Sequence, residues 1–405
     1  MSGELVSGVP SLGYPVKQVF EGDIVLLVPD GEVLGRQRAD SIAFYNPAME
    51  LCRDIAVSCL QVYQRTLNQG LIIAEPLTAT GVRGLRYAKE VKGVEKVVIG
   101  DVNPEAVKLA KVNVAINALS DKVIVEQADA NLLLSVYVAR KTRFNAVDID
   151  PFGSPAPYIS AALRSLRDGG LIAVTATDMP PLCGVHPMVA ERRYGGTSLR
   201  SDFCHEVAVR LLLSAICREA GKQDLGIEPL LCHFTRHYVR IYSRIRVGAV
   251  KADASFRSLG YAVYCPKCGF RSLISGGIGI DVPNRCKNCG NKLQRAGPLW
   301  AGRIQDKDFC TNVLREVEAR SFKLKNLELR LLKLLQAEAE GPPLYYVLDR
   351  ICHLAKVAEP SLEAVISKLR SNGFKATRTH FNLKGVKTDA PITRLISIVK
   401  ELRRS

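Results

Sequence analysis

The residues able to do chemistry in this 405-residue chain gather in a few short segments, the most suggestive being Asp148-Ile-Asp150-Pro151-Phe152-Gly153-Ser154-Pro155. An acid, a proline and an aromatic at the end of an apolar run make a rigid corner. Proline locks its own φ and biases Asp150 toward extended backbone. At such a corner the Asp150 carboxylate and the Pro151 carbonyl can accept both hydrogens of a planar exocyclic amine. That amine is a poor nucleophile, because its lone pair is delocalised into the ring. Two acceptors draw the nitrogen toward tetrahedral geometry and aim the lone pair at a methyl sulfonium, which is catalysis by positioning and electrostatics. Asp150 can then take the proton shed after transfer. Phe152 offers a stacking face for an extruded base.

A second constellation supplies the other half of such a reaction. Glu75-Pro-Leu-Thr-Ala-Thr-Gly81-Val-Arg-Gly84 is a small-residue turn between an apolar run and a helical stretch. Ligands approach the backbone closely at turns of this kind. The next two apolar runs end at Asp101 and at Asp129-Ala130. Acids at the carboxyl ends of successive parallel strands describe a nucleoside crevice, with Asp101 for the ribose hydroxyls and Asp129 near the adenine amine. The G-x-G-x-x-G of a dinucleotide site is absent, so the adenosine of S-adenosylmethionine fits better than a nicotinamide cofactor.

Twelve cysteines make the third feature. Cys265-x2-Cys268 and Cys286-x2-Cys289 stand 17 residues apart, each pair followed by glycine. Two such knuckles predict tetrahedral, structural zinc on Cys265, Cys268, Cys286 and Cys289. The other eight lie mostly inside apolar runs and read as ordinary reduced thiols. Disulfides stay open for a hyperthermophilic source. His205-Glu206 lacks the second histidine of a metalloprotease motif, and His205 reads as a buried hydrogen-bonding residue.

These residues need elements to position them. Apolar runs at Leu71–Glu75, Lys96–Asp101, Lys122–Gln127, Phe144–Asp148 and Gly170–Thr175 alternate with amphipathic stretches, the pattern of a parallel sheet wrapped by helices. In Pro104–Asn117, Val107, Ala110, Val114 and Ala115 form one apolar face. Further helices are expected over Pro47–Leu67 and Asp202–Ala220, a strand over Tyr238–Val247, and β structure across residues 16–45. The tail reads helix, helix, helix and then a strand-like Thr377–Asn382, the order of a winged helix. The expected fold is α/β. It combines a Rossmann-like methyltransferase sheet with a β-rich opening segment (1–258), a zinc-ribbon-like module (259–300) and a smaller α+β winged-helix-like domain (301–405).

Composition narrows the partners. Lys and Arg number 56 against 40 Asp and Glu, a net charge of +16. Of that surplus, +8 lies in residues 321–405, where 16 basic residues face 8 acidic ones. A polyanion is the expected partner, and Arg378, His380, Lys384 and Lys387 interleaved with Phe381 read as a phosphate-and-base strip. No apolar stretch is long enough to span a membrane, and the amino terminus lacks the basic-then-apolar order of a leader, so a cytoplasmic location is expected.

The corner Asp-Pro-Phe-Gly-Ser-Pro resembles that of the amino-methyltransferases, in the form used by the tRNA (guanine(26)-N2)-dimethyltransferase family. Further segments are similar to that family in order: Phe44-Tyr-Asn-Pro47 through Arg53-Asp54, Leu77–Gly84, Thr175–Asp178 with Leu182-Cys-Gly184, and Cys204-His-Glu206. Thr379–Asn382 through Val386–Pro391 is the most specific, since generic methyltransferases have nothing like it. The resemblance covers nearly the whole chain. It implies a methyltransferase that uses S-adenosylmethionine to methylate the N2 amine of guanine 26 in tRNA, once and then again. It implies Asp150 as the catalytic acid, with Phe44 and Phe152 as an aromatic clamp around guanine. Arg53, Arg83, Asp101, Asp129 and Ala130 fall on cofactor contacts. Two other readings stay open: an adenine-N6 methyltransferase on RNA or DNA, and a non-catalytic zinc-ribbon RNA-binding protein.

Overall fold

A computed structural model describes residues 12–67 and 69–403. The expectation about a leader falls largely outside that range. The chain divides into two compact units. One takes the residues through Pro151 with Pro157–Val174 and Asn312–Leu329, and the other takes Phe152–Ala156, Thr175–Thr311 and the residues from Arg330 onward.

The first unit is built on parallel strands in the spatial order Val123–Gln127, Val94–Asp101, Leu71–Glu75, Phe144–Ile149, Leu166–Ala176. Their β-branched runs suit strands covered on both faces, and Ile73, Val97, Ile99, Val147 and Ile149 are fully buried. The order reverses between Leu71–Glu75 and Phe144–Ile149, so the crevice at that switch point opens where Glu75 and Asp150 emerge.

The helix Pro104–Ile116 starts with Pro104 in its first turn and with Asn103 Oδ1 capping Glu105 N. It buries Val107, Ala110 and Val114 as expected, but Ala115 is exposed. The polar residue that takes a core position is Asn113. It accepts from Leu27 N at 2.8 Å and donates to Leu27 O at 3.0 Å and Thr80 O at 2.9 Å. One amide therefore ties the opening hairpin to the crevice loop.

That hairpin, Val16–Glu21 with Ile24–Pro29, accounts for only part of the β structure expected over residues 16–45. Asp30 caps the short helix Gly31–Leu34, and Gly35, at φ +80°, separates it from Arg36–Ile42. The expected helix from Pro47 begins as a 3-10 turn, Pro47–Met49, and continues as Glu50–Gln64.

In the second unit the helix Cys204–Gly221 and the strand Tyr238–Val247 fall where expected. The partner strand Leu225–Thr235 was not expected. It carries Pro229 at a register shift, where the missing N–H is tolerated, and that proline disguises the strand in the sequence. A three-stranded sheet centred on Leu259–Tyr264 carries the knuckles. Beyond it, Leu348–Ala355, Leu362–Ser371 and the hairpin Ala376–Thr379 with Asn382–Thr388 pack around Val365, Leu369, Leu395 and Ile398. This is the winged-helix-like arrangement. The strand expected over Thr377–Asn382 is instead cut by a turn at His380 and Phe381. The side chain of Glu338 holds that turn, accepting from Thr379 Oγ1 at 2.9 Å and from His380 N at 2.5 Å. Among the described residues no helix is long and apolar enough to cross a membrane.

Candidate active site

In the first unit Asp101, Asp129, Asp150 and Pro151 sit at strand carboxyl ends or in the turns after them, Arg83 and Ala130 lie in the first turns of the helices that follow, and Arg53 lies in the helix Glu50–Gln64 ahead of the sheet. The turn following Leu71–Glu75 holds two residues at positive φ, Ala79 at +48° and Gly81 at +84°. Left-handed backbone at a non-glycine residue persists only where the surroundings enforce it. Here Asp101 Oδ2 takes Ala79 N at 2.9 Å, while Oδ1 takes Asn103 N at 3.0 Å. Asp101 thus shapes the loop, and its half-exposed carboxylate keeps lone pairs for hydroxyl donors. Asp129 is exposed and caps the helix Ala130–Ala139 through Asn131 N at 2.9 Å and Leu132 N at 3.1 Å; Ala130 is buried behind it.

Glu75 closes the loop from beneath. Its Oε2 accepts from Thr78 Oγ1 and from Gly84 N, both at 2.8 Å. Burial, reinforced by the charges of Asp148 and Asp150, raises this carboxyl to about 8 despite Arg83. Its unfolded value is ordinary, so its contribution to stability is fully present below about pH 4.5 and is lost as pH rises through about 8. Glu75→Gln keeps both hydrogen bonds without the charge. We expect thermal midpoints of the variant to vary less between about pH 5 and 8 than those of the parent; equal slopes would contradict this.

Arg83 is 2% exposed and lies beneath the corner. It pairs with Asp150 through Nη2 and stands 3.7 Å from Asp148 Oδ2 through Nη1, and Tyr87 donates its hydroxyl to Asp148. Asp148 is buried, whereas the Asp150 side chain keeps 22% exposure. One buried cation therefore orients the carboxylate that faces outward. Arg53 is likewise buried, in a two-pronged pair with Glu21, and it donates to Asn46 O at 3.1 Å. Arg86 extends that network to Glu90, Asp54 and Glu21. Phe44 is half-buried.

Two residues beside the crevice acids escaped notice in the sequence. Val102 is 71% exposed directly after Asp101, and Leu132 is 58% exposed three residues after Asp129. The available signal was an apolar residue just past a strand-end acid, which is easily taken for the start of the next helix.

In the second unit the corner continues as Phe152–Ala156. Phe152 is 71% exposed. Gly153 N donates to Thr177 Oγ1 at 2.8 Å and Thr177 N to Gly153 O at 3.0 Å. Ser154 Oγ donates to Tyr194 OH at 2.8 Å, and Tyr194 OH donates to Asp178 Oδ1 at 2.5 Å. Burial first, and then Asp178, pushes the Tyr194 phenol well above its usual range, so it stays a donor. Tyr194 is a further residue that the sequence did not single out.

The four knuckle sulfurs lie within 4.8 Å of one another, with Cys265 to Cys289 and Cys268 to Cys286 both 3.5 Å. A zinc–sulfur bond of about 2.3 Å implies a tetrahedron edge of about 3.8 Å, so the set fits zinc. The two knuckles repeat one geometry. Gly269 N bonds Cys265 O at 2.9 Å and Gly290 N bonds Cys286 O at 2.8 Å, with φ of +76° and +69°.

The basic strip expected in the tail does not form a surface. Phe381 and Lys387 are buried, the His380 ring pairs with Glu338 at 2.8 Å, and Lys387 Nζ lies 2.9 Å from Glu206 and 3.7 Å from Glu338. Arg378 and Lys384 are more exposed, but each is engaged by carboxylates, Glu363 for the former and Asp349 and Glu359 for the latter. Alternation of charges along a hairpin said nothing about the acids that other elements bring to meet them.

Parallel strands reversing order at an acid-lined crevice, with an Asp-Pro-Phe corner on the fourth strand, define a class I methyltransferase sheet. The family model for the N2,N2-dimethylguanosine tRNA methyltransferases matches residues 22–400. The tRNA (guanine(26)-N(2))-dimethyltransferase of Methanosphaera stadtmanae is 36% identical, over 95% of this chain and 97% of its own. That of Methanosarcina acetivorans is 38% identical, over 89% and 92%. A solved structure of Trm1 from Pyrococcus horikoshii with S-adenosyl-L-methionine is 35% identical and superposes with a TM-score of 0.83, covering 95% of this chain and 99% of that one. The chain belongs to the N2,N2-dimethylguanosine tRNA methyltransferase family.

Proposed function

We propose that this protein transfers methyl groups from S-adenosylmethionine to the exocyclic N2 amine of guanine 26 in tRNA, once and then again. The observation that carries the reading is the Asp150–Arg83 pair at the switch-point crevice, in a chain similar end to end to enzymes named for that reaction. The cofactor supplies an electrophilic methyl on a sulfonium. Asp101 accepts from the ribose hydroxyls and Asp129 from the adenine amine. Ala130, Val102 and Leu132 give the adenine apolar contact, while Arg53 and Arg83, their charges matched by Glu21 and by Asp148 and Asp150, position the carboxylate end of the cofactor.

Asp150 and the Pro151 carbonyl accept the two amine hydrogens, and Phe152 and Phe44 stack on the guanine. After the first transfer one hydrogen remains on the nitrogen, so a single acceptor serves the second. Asp150 takes the proton released each time and passes it to water. The four knuckle cysteines hold structural zinc, the basic surplus attracts the tRNA backbone, and the substrate makes the cytoplasm its place of action.

The test is site mapping of methylated guanosine on a tRNA transcript in which guanines are replaced one at a time. Loss of product only when guanine 26 is replaced is expected, and methylated adenosine as the sole product would overturn the reading. Tyr194→Phe removes the hydroxyl between Ser154 and Asp178 and so loosens the Phe152 corner. The neutral bond from Ser154 contributes about 1 kcal/mol and the bond to the Asp178 carboxylate more, so turnover should fall at least about fivefold with cofactor affinity unchanged. Steady-state kinetics with tRNA varied at saturating cofactor measures it.

A further inference from the structure

Three metal-type ligand atoms converge at a second place, outside the knuckles. Cys183, Cys204 and His205 each bring one ligand atom within 4.8 Å of the others. Backbone geometry makes the meeting. Cys183 ends the short helix Met179–Leu182, donating its N–H to Met179 O at 2.8 Å, and Gly184 follows at φ +85°. A Cβ on Gly184 would lie 2.2 Å from Arg200 N and 2.4 Å from Leu199 C, so only glycine lets this turn press against the segment leading to Cys204.

Cys204 opens the helix Cys204–Gly221, where free backbone N–H groups favour a thiolate. The His205 ring stacks on Phe234 at 3.9 Å, with Nδ1 3.4 Å from Phe381 O. A carbonyl against one ring nitrogen is how metal-binding imidazoles are usually oriented.

A second observation points to something bound here. Ser201 Oγ, Asp202 Oδ1 and Tyr345 OH are buried without a hydrogen-bond partner among the described residues. Ser201 and Asp202 stand three and two residues before Cys204, whose N–H bonds Ser201 O at 3.3 Å, and Arg271 joins Asp202 Oδ2 to Tyr345 O. A buried polar atom without a protein partner can take a water or an ion as its partner.

We propose that Cys183, Cys204 and His205 bind a second zinc ion, with water in the remaining position. Two thiolates and an imidazole are a zinc donor set. Bond lengths of about 2.3 Å to sulfur and 2.0 Å to nitrogen place ligand atoms roughly 3.5–3.8 Å apart, inside the 4.8 Å within which these three already lie. A disulfide would use both sulfurs and leave the imidazole no part, and the third ligand selects the metal. Binding releases two thiol protons to solvent and changes no oxidation state. The ion ties Met179–Leu182 to the start of Cys204–Gly221 and so braces Asp178, the residue that precedes that short helix and holds Tyr194.

Zinc content of the full chain, loaded under reducing conditions and freed of excess metal, tests this by mass spectrometry of the element. Two zinc ions per chain are expected, falling to one in Cys183→Ser and in Cys204→Ser. One zinc in the parent, two retained in both variants, or a Cys183–Cys204 disulfide in the metal-loaded protein would each overturn the proposal. Cobalt titration of the unaltered chain needs no substitution. It should show two saturating steps, the second with a thiolate-to-metal band about half as intense because two sulfurs replace four. A single step would overturn it equally.

Discussion

Asp150→Asn should cut methyl transfer at least about 10²–10³-fold while cofactor and tRNA affinities stay within about tenfold, the size expected when one preorganised group at the reacting centre is lost. The side chain is nearly isosteric, and the structure shows why the substitution is tolerated. Arg83 is the buried member of the pair, and Asp148, 3.7 Å from its Nη1, remains to compensate it. An amide at 150 keeps one acceptor oxygen but turns a donor toward the amine and cannot take its proton. The loss should therefore fall on turnover. Calorimetry with S-adenosylhomocysteine, filter binding with tRNA and single-turnover transfer separate the three quantities. Transfer at the parental rate would end the mechanism proposed for this corner. Weak cofactor binding with an unchanged single-turnover rate would reassign Asp150 to the cofactor.

The second large effect concerns a lysine that looks like a nucleic-acid ligand in the sequence. Lys387 Nζ sits 2.9 Å from Glu206 and 3.7 Å from Glu338, with all three side chains at most 3% exposed. Lys387→Met leaves two buried carboxylates with less positive charge than they need, although Arg210, 2.8 Å away, still pairs with Glu206. Removing one partner of a buried pair costs about 3–5 kcal/mol, which for a unit of this size lowers the thermal midpoint by on the order of 10 °C. Circular dichroism measures it. A phosphate ligand would behave otherwise, with an unchanged midpoint and a salt dependence of tRNA binding shallower by about one unit.

The pH dependence carries a matching sign. Burial works against the Glu206 carboxylate, but Lys387 first and then Arg210 hold it down to about 2. Its contribution is present above the ordinary carboxylate value near 4.5 and is lost as pH falls toward 2. In the variant that acid loss should begin at higher pH.

What the sequence determined by itself is local and periodic. The run Leu71–Glu75 is a strand with the expected ends, as is Tyr238–Val247, because β-branched runs bounded by turn residues have few other ways to satisfy their backbone. Asp101, Asp129 and Asp150 could be placed at strand ends because each ends its run or follows it within two residues. The cysteine knuckles were legible for the same reason: two residues of spacing and a following glycine specify a turn.

Tertiary structure decided which charges meet. Arg83 is the second residue of the helix that follows the loop, yet it pairs with an acid 67 positions later in the chain. Arg53 meets Glu21, and Lys387 meets Glu206. A side chain's sign is written in its type, but its partner depends on which elements pack together, and burial multiplies the cost of a wrong pairing. The same physics brings Cys183 to Cys204 and His205. Spacing along the chain could not distinguish them from ordinary thiols, because the contact is made by a glycine turn pressed against a distant backbone segment.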